Sequence, residues 1–270
     1  MEDLTLSSEL YNNVKFNMQK LILDIPEGDS KRLGEVFGAS EEETVEIING
    51  CGDTAVELAD GFLAKHAKPE VHGRKTVAFI GDSITSDRES YLRAIQYLFH
   101  GDEKLNIVDA AVSGDKSDDA KMKFHLRVLN YKPDITHILI GTNDMRINEG
   151  VGGSSCISLG EYEKNLDYMI STLKSAGSEV VLSTISPIVN CRLKARFPDD
   201  HWYYRPEDIT AANDIIASLA GRYGCGFNDM RQVYGKYPDE ELMLADGLHL
   251  NKKGQSLLLE GVLTAMENYL

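Results

Sequence analysis

From Thr76 to the C-terminus, short apolar runs alternate with stretches whose apolar residues recur every three or four positions. The runs are Val77–Ile80, Ile107–Val112, Ile135–Ile140, Val180–Ile185 and the weaker Cys225–Asn228. Near-continuous apolar runs of this length suit strands covered on both faces. Leu159–Ala176 places Tyr162, Leu166, Met169, Ile170 and Leu173 on one helical face, behind Ser158 and Glu161 in the form of a capping box. Residues 207–221 and 252–270 are also helical in pattern, the last with Leu258, Val262, Met266 and Tyr269 in register. Buried strands alternating with helices predict a doubly wound α/β domain. Its mainly parallel five-stranded sheet carries helices on both faces, a flavodoxin-like three-layer arrangement over residues 73–270.

Residues 1–72 follow another pattern. Leu10, Val14, Met18, Leu21 and Ile22 fall at helical spacing, and Ser40 with Glu43 forms a capping box ahead of Val45, Ile47 and Ile48. After Gly50 and Gly52, Asp53 is placed to cap a further helix bearing Val56, Ala59, Phe62 and Leu63. No run has strand character. The expected unit is a helical N-terminal appendage ending in a Lys68–Arg74 linker that contains Pro69 and Gly73. A lid, a buttress and a homo-oligomer contact are its candidate roles.

Charge narrows the partners. The formal net charge is −15, and residues 1–72 contribute 15 Asp and Glu against 6 Lys and Arg, or −9 of it. Nucleic-acid grooves and anchors on anionic membranes need clustered cations, so both are disfavoured. The N-terminal MEDLTLSSELYNN lacks a basic segment followed by an apolar one, and no apolar run approaches the roughly 18 residues of a membrane span. The expectation is a cytoplasmic protein without a membrane span. Cys51, Cys156, Cys191 and Cys225 are scattered and form no C-x-x-C pair, which fits reduced thiols.

In doubly wound sheets, ligands bind beyond the carboxyl ends of the strands. Here those ends carry Gly81-Asp82-Ser83, Val112-Ser113-Gly114-Asp115 and Gly141-Thr142-Asn143-Asp144, with Asp246-Gly247-Leu248-His249-Leu250-Asn251 before the last helix. A serine hydroxyl needs a base to take its proton, usually a histidine oriented by a carboxylate. Asp246 and His249 are close enough for that pairing if Gly247 lets the chain fold back. Taken alone, each cluster has a plainer reading. Asp82 or Ser83 caps a helix, Asp246 or Asn251 caps the last one, and Gly114 and Asn143 are turn residues. Ser83 also departs from the G-x-S-x-G elbow, because Thr85 stands at the second glycine. Four strand-end or loop clusters that each supply one part of an acyl-transfer site are harder to explain separately.

The blocks GDSIT, VSGD, IGTND and DGLHLN resemble, in order, the four blocks of the GDSL/SGNH hydrolase superfamily, over residues 76–270. The resemblance implies Ser83 as nucleophile, His249 as base and Asp246 as its orienting acid. It implies an oxyanion hole from the Ser83 and Gly114 N–H groups and the Asn143 amide, and it calls for no metal or organic cofactor. Asp109 and Ala111 depart from the Asn and Gly of many relatives, and Leu250 replaces a frequent Pro. Asp109 bears on how the second loop is tied down. Residues 1–72 lie outside the shared pattern.

The resemblance also implies an ester substrate, which for an acidic chain leans towards small polar esters such as acetylated carbohydrate. A lysophospholipase- or thioesterase-type acyl hydrolase is the alternative, and a non-catalytic binding module the second. His201, next to Asp200 in the aromatic loop FPDDHWYYRPED, is the rival base. In that loop Trp202, Tyr203 and Tyr204 are candidate substrate contacts, or else pack the loop onto the N-terminal helices.

Overall fold

A computed structural model describes residues 6–22, 25–148, 153–198 and 201–270, with no side-chain description for residues 6, 7, 21 and 22. Five strands form one parallel sheet: β1 (Lys75–Gly81), β2 (Leu105–Asp109), β3 (Ile135–Leu139), β5 (Glu179–Ser183) and β7 (Gly226–Asn228). Two two-residue strands, β4 (Ile147–Asn148) and β6 (Trp202–Tyr203), pair antiparallel beside it. The helices up to β1 are α1 (Leu6–Lys15), α2 (Gln19–Ile22), α3 (Ser30–Phe37) and α4 (Glu41–Leu63). Next come α5 (Ser83–Ser86), α6 (Tyr91–Leu98), α7 (Ser117–Arg127), α8 (Leu159–Ser175) and α9 (Asn190–Arg196). The last are α10 (Pro206–Tyr223), α11 (Arg231–Tyr234) and α12 (Lys252–Met266).

The main sheet runs β2-β1-β3-β5-β7. The strand order therefore reverses between β1 and β3, and the carboxyl ends of these two strands are where such folds place their ligands. Alternation along each strand feeds two separate cores. Val77, Phe79, Ile135, Leu139 and Val181 face α4, α6 and α12 on one side. Ala78, Ile80, Ile138, Val180 and Leu182 face α7, α8 and α10 on the other. The expected three-layer architecture is the one observed.

Two local expectations change. Helix α4 runs unbroken through Gly50, Gly52 and Asp53, so Asp53 caps nothing. An interior glycine costs a helix about 1 kcal/mol relative to alanine, and the burial of Cys51, Ala55, Leu58, Ala59 and Phe62 along the same helix offsets it. The Ser40–Glu43 capping box forms in both directions, whereas at Ser158 only one half forms, its side chain accepting from the Glu161 N–H. Helix α4 also belongs to the sheet's own packing, because Leu58, Ala59 and Phe62 share a core with Val77, Phe79 and Leu263.

Candidate active site

Strand β1 ends at Gly81 because the chain must turn sharply there. A Cβ on Gly81 would lie 2.3 Å from the Thr85 hydroxyl, so only glycine lets the next helix fold back this closely. Asp82 caps α5 by accepting from the Ile84 N–H at 3.0 Å, which leaves Ser83 as the first helical residue with its hydroxyl not used in the cap. Gln255 holds this turn from α12, donating to the Ile84 carbonyl at 3.2 Å and accepting from the Tyr91 N–H at 3.0 Å.

The second and third strand ends are laced to the first. Val112 N–H donates to the Gly81 carbonyl at 3.1 Å, which carries Ser113 and Gly114 alongside Ser83. Gly114 has φ +82, in the left-handed region that favours glycine. Asn143 is nearly buried and donates from Nδ2 to the Asp115 carbonyl at 3.2 Å. Asp144 accepts from the Ser117 N–H at 3.0 Å and from its hydroxyl. The amide of Asn143 is thereby tied to the second loop.

The last block folds back as Gly247 permits. Its φ is +72, and a Cβ there would sit 2.5 Å from the Val189 carbonyl oxygen. Asp246 Oδ1 accepts from the Leu248 and His249 N–H groups at 2.9 and 3.0 Å, while Oδ2 accepts from His249 Nδ1 at 2.7 Å. His249 Nε2 is 2.8 Å from Ser83 Oγ. A continuous hydrogen-bonded chain thus joins Ser83, His249 and Asp246, with Ser83 and His249 166 positions apart in sequence. Capping of α12 falls to Asn251, whose side chain accepts from the Gly254 N–H at 3.1 Å. Asp246 is consequently free for the imidazole.

The carboxyls differ by environment. Burial pushes Asp246 up, but the His249 hydrogen bond and the backbone donors outweigh it and hold the group below its ordinary range. Asp82 is pushed up to about 6, mainly by burial, with the Ile84 N–H opposing. Asp144 is pushed up to about 7, again mainly by burial.

The imidazole bonded to Ser83 belongs to His249, whereas His201 is exposed, at φ +50, and its neighbour Asp200 lies outside the described residues. Trp202 and Tyr203 are half-buried in β6, paired with Asn148 and Ile147 just beyond the IGTND block. The Arg146 guanidinium lies 4.9 Å from the Trp202 ring centroid, and Phe197 packs 5.3 Å away. The aromatic loop is therefore stitched to the third strand end. Tyr204 points elsewhere: it is 2% exposed, within the core beneath α9 and α10.

One neighbour of the imidazole escaped sequence reasoning. Phe16 stacks on His249 with ring centroids 4.1 Å apart. Its only sequence signal is that it lies off the helical face of Leu10, Val14 and Met18. Lys20 and Arg93 both reach Asp109, at 2.7 and 3.0 Å, so the Asp109 departure coincides with an ionic tie between the second strand and the N-terminal segment.

A parallel sheet in this order, with serine, imidazole and carboxylate hydrogen-bonded at its carboxyl edge, defines the α/β acyl-hydrolase class. The GDSL-like Lipase/Acylhydrolase family model matches residues 79–257, and the chain belongs to that family. It is 27% identical over 225 residues to the uncharacterized lipoprotein YqeF of Bacillus subtilis (strain 168), covering 72% of this chain and 90% of that protein. Among solved structures it resembles a catalytic mutant of Axe2, an acetylxylan esterase from Geobacillus stearothermophilus. That match has TM-score 0.57 and 18% identity over 73% of this chain and 95% of the other. A lipase/acylhydrolase from Enterococcus faecalis matches with TM-score 0.58 and 22% identity, over 72% of this chain and 96% of its own. An acetyl xylan esterase, AlAXEase, matches with TM-score 0.57 and 22% identity, over 70% of this chain and 98% of its own. Among the described residues no helix is long and apolar enough to cross a membrane.

Proposed function

We propose that the protein is a serine esterase that hydrolyses small carboxylic esters through an acyl-enzyme, with an O-acetyl ester of a carbohydrate as the preferred class of substrate. The observation that carries this reading is the unbroken chain from Ser83 Oγ through His249 to Asp246, at 2.8 and 2.7 Å. His249 Nε2 takes the Ser83 proton as Oγ attacks the carbonyl carbon, and Asp246 stabilises the imidazolium that forms. The backbone N–H groups of Ser83 and Gly114 and the second Asn143 amide hydrogen receive the oxyanion. His249 then protonates the leaving alcohol, and water repeats the cycle to free the acid.

Two solved relatives named as acetylxylan esterases support the carbohydrate part of the reading. So does the position of Trp202 and Tyr203, whose half-buried rings sit on the arm next to Asn143 and suit stacking on a sugar. The test is a panel of p-nitrophenyl esters of rising chain length, run beside acetylated xylooligosaccharides and a fluorophosphonate probe. Fast acetate release and probe labelling that vanishes in Ser83→Ala are expected. A maximum at long acyl chains would replace the substrate class by a lysophospholipase- or thioesterase-type one. No hydrolysis and no labelling would leave a binding module.

A further inference from the structure

The Phe16 ring lies outside the family-matched residues yet stacks on the imidazole, with centroids 4.1 Å apart and planes 29° apart. The Phe16 carbonyl also accepts from the hydroxyl of Ser113, the residue before Gly114. A single residue of the N-terminal segment therefore touches both the base and the loop that carries one oxyanion donor.

The chain on either side is fastened to the same strand ends. Arg88, just after α5, donates its backbone N–H to the Lys15 carbonyl at 2.8 Å and its Nε to the Val14 carbonyl at 3.0 Å. Lys15 in turn reaches Asp87 at 2.9 Å, inside the protein. Asn17 adopts φ +51 and donates from Nδ2 to the Ser86 carbonyl at 2.6 Å. Asparagine tolerates this left-handed conformation better than most residues, and it turns the chain directly after Phe16. Beyond it, Lys20 and Glu27 join Arg93 and Asp109 in one ionic cluster. Phe16 is held on both sides, so its ring is a fixed surface and not a loosely resting cover.

We propose that Phe16 is a positioning residue for His249, an inference that rests on the serine-esterase reading. Hydrogen bonds to Asp246 and Ser83 fix the two imidazole nitrogens but leave the ring able to tilt about the line between them. A flat ring pressed on one face removes that tilt and excludes water from that face. It keeps Nε2 in line with Ser83 Oγ during proton transfer. The N-terminal segment accordingly supplies part of the active-site wall in this chain, from residues the family model does not include.

The experiment compares Phe16→Ala, Phe16→Leu and Phe16→Tyr in the full chain. It reads kcat and KM for a p-nitrophenyl acetate substrate, the rate of fluorophosphonate labelling at Ser83, and the melting temperature. Misplacing a catalytic group by about 1 Å can cost about 100-fold. Phe16→Ala is therefore expected to lower kcat and the labelling rate by about 10- to 100-fold with KM little changed. Phe16→Tyr, which keeps the flat ring, restores most of the rate, and Phe16→Leu, of similar size without the ring, does not. Should Phe16→Ala fail to fold, Phe16→Leu against Phe16→Tyr carries the same comparison. A folded Phe16→Ala or Phe16→Leu protein with wild-type kcat and only a lower melting temperature would overturn the proposal alone. A wild-type protein that neither hydrolyses esters nor takes the probe would overturn the esterase reading, and this inference with it.

Discussion

Asp246, Asp82 and Asp144 surround the same strand ends, yet their environments assign them different work. Asp246 accepts three hydrogen bonds from its own turn and from the imidazole, which keeps it ionised beside the ring that the proposed mechanism makes positive. Replacing it by asparagine presents a neutral amide to Nδ1 and stabilises the wrong tautomer. For Asp246→Asn a kcat about 10,000-fold lower is expected, measurable as loss of ester turnover in a protein that still folds. Asn143 is placed differently, its amide steered by the Asp115 carbonyl. Removing one oxyanion donor costs about 3–4 kcal/mol, so Asn143→Ala should lose about 100- to 1000-fold in kcat. An unchanged kcat would remove Asn143 from the mechanism. Local sequence already held both the helix-cap and the nucleophile readings of Ser83. Asp82, not Ser83, does the capping, and the Ser83 hydroxyl is left hydrogen-bonded to His249.

Among the secondary-structure elements, the central strands β1, β3 and β5 were legible because both faces are buried and their runs are largely apolar, whereas the edge strands β2 and β7 are only partly buried. The β4–β6 ribbon was not legible. Two-residue strands have no period to detect, and their pairing joins Ile147 to Tyr203, far apart in the chain. The break expected at Asp53 failed for a related reason: glycine in a helix is a weak local signal that packing overrides. The turn before His249 offers a sharper test. Both Gly177 and Gly247 have positive φ, but a Cβ meets nothing within 4 Å at Gly177 and lies 2.5 Å from the Val189 carbonyl at Gly247. Gly177→Ala should cost only the backbone strain, about 1–3 kcal/mol. Gly247→Ala should cost more and also slow fluorophosphonate labelling, because relieving the contact moves Asp246 and His249. Equal melting temperatures and labelling rates for the two variants would refute this account.

Over the whole molecule, α4 shares a core with one face of the sheet. Leu58 and Phe62 of α4 are buried against the layer that also holds α6 and α12, and each such side chain contributes about 1.5–3 kcal/mol on burial. A chain beginning at residue 70 should therefore melt at lower temperature and bind an apolar dye. A truncated protein as stable as the full one would show that the two parts are energetically independent. Buried acids add a pH signature. Asp144 ordinarily titrates at 3.8 and is pushed to about 7 in the fold. Between those values the folded protein keeps a proton that the unfolded chain has lost, so this group's stabilisation falls as pH rises and levels off above about 7. Asp82 acts in the same direction up to about 6. His137, pushed by burial from 6.5 to about 3, has the opposite sign and costs stability as pH falls. These slopes partly cancel in the wild type, so the measurement is a difference. The gap in melting temperature between wild type and Asp144→Asn should narrow or reverse from about pH 5 to about pH 8, following a slope of about 1.4 kcal/mol per pH unit per proton.

Strand and helix periods and the strand-end placement of Ser83, Gly114 and Asn143 were readable along the chain, from spacing within one short segment or from the general rule that ligands gather at carboxyl ends of parallel strands. The Asp246–His249 pairing was allowed by its spacing but singled out only by the resemblance of the four blocks to a known family. The stacking of Phe16 on His249, the latch from Lys20 to Asp109 and the burial of α4 in the common core were decided by tertiary structure alone. They join residues dozens to hundreds of positions apart through surfaces that no local pattern encodes. Folding brought an off-register phenylalanine to the face of an imidazole, and sequence spacing carries no information about that meeting.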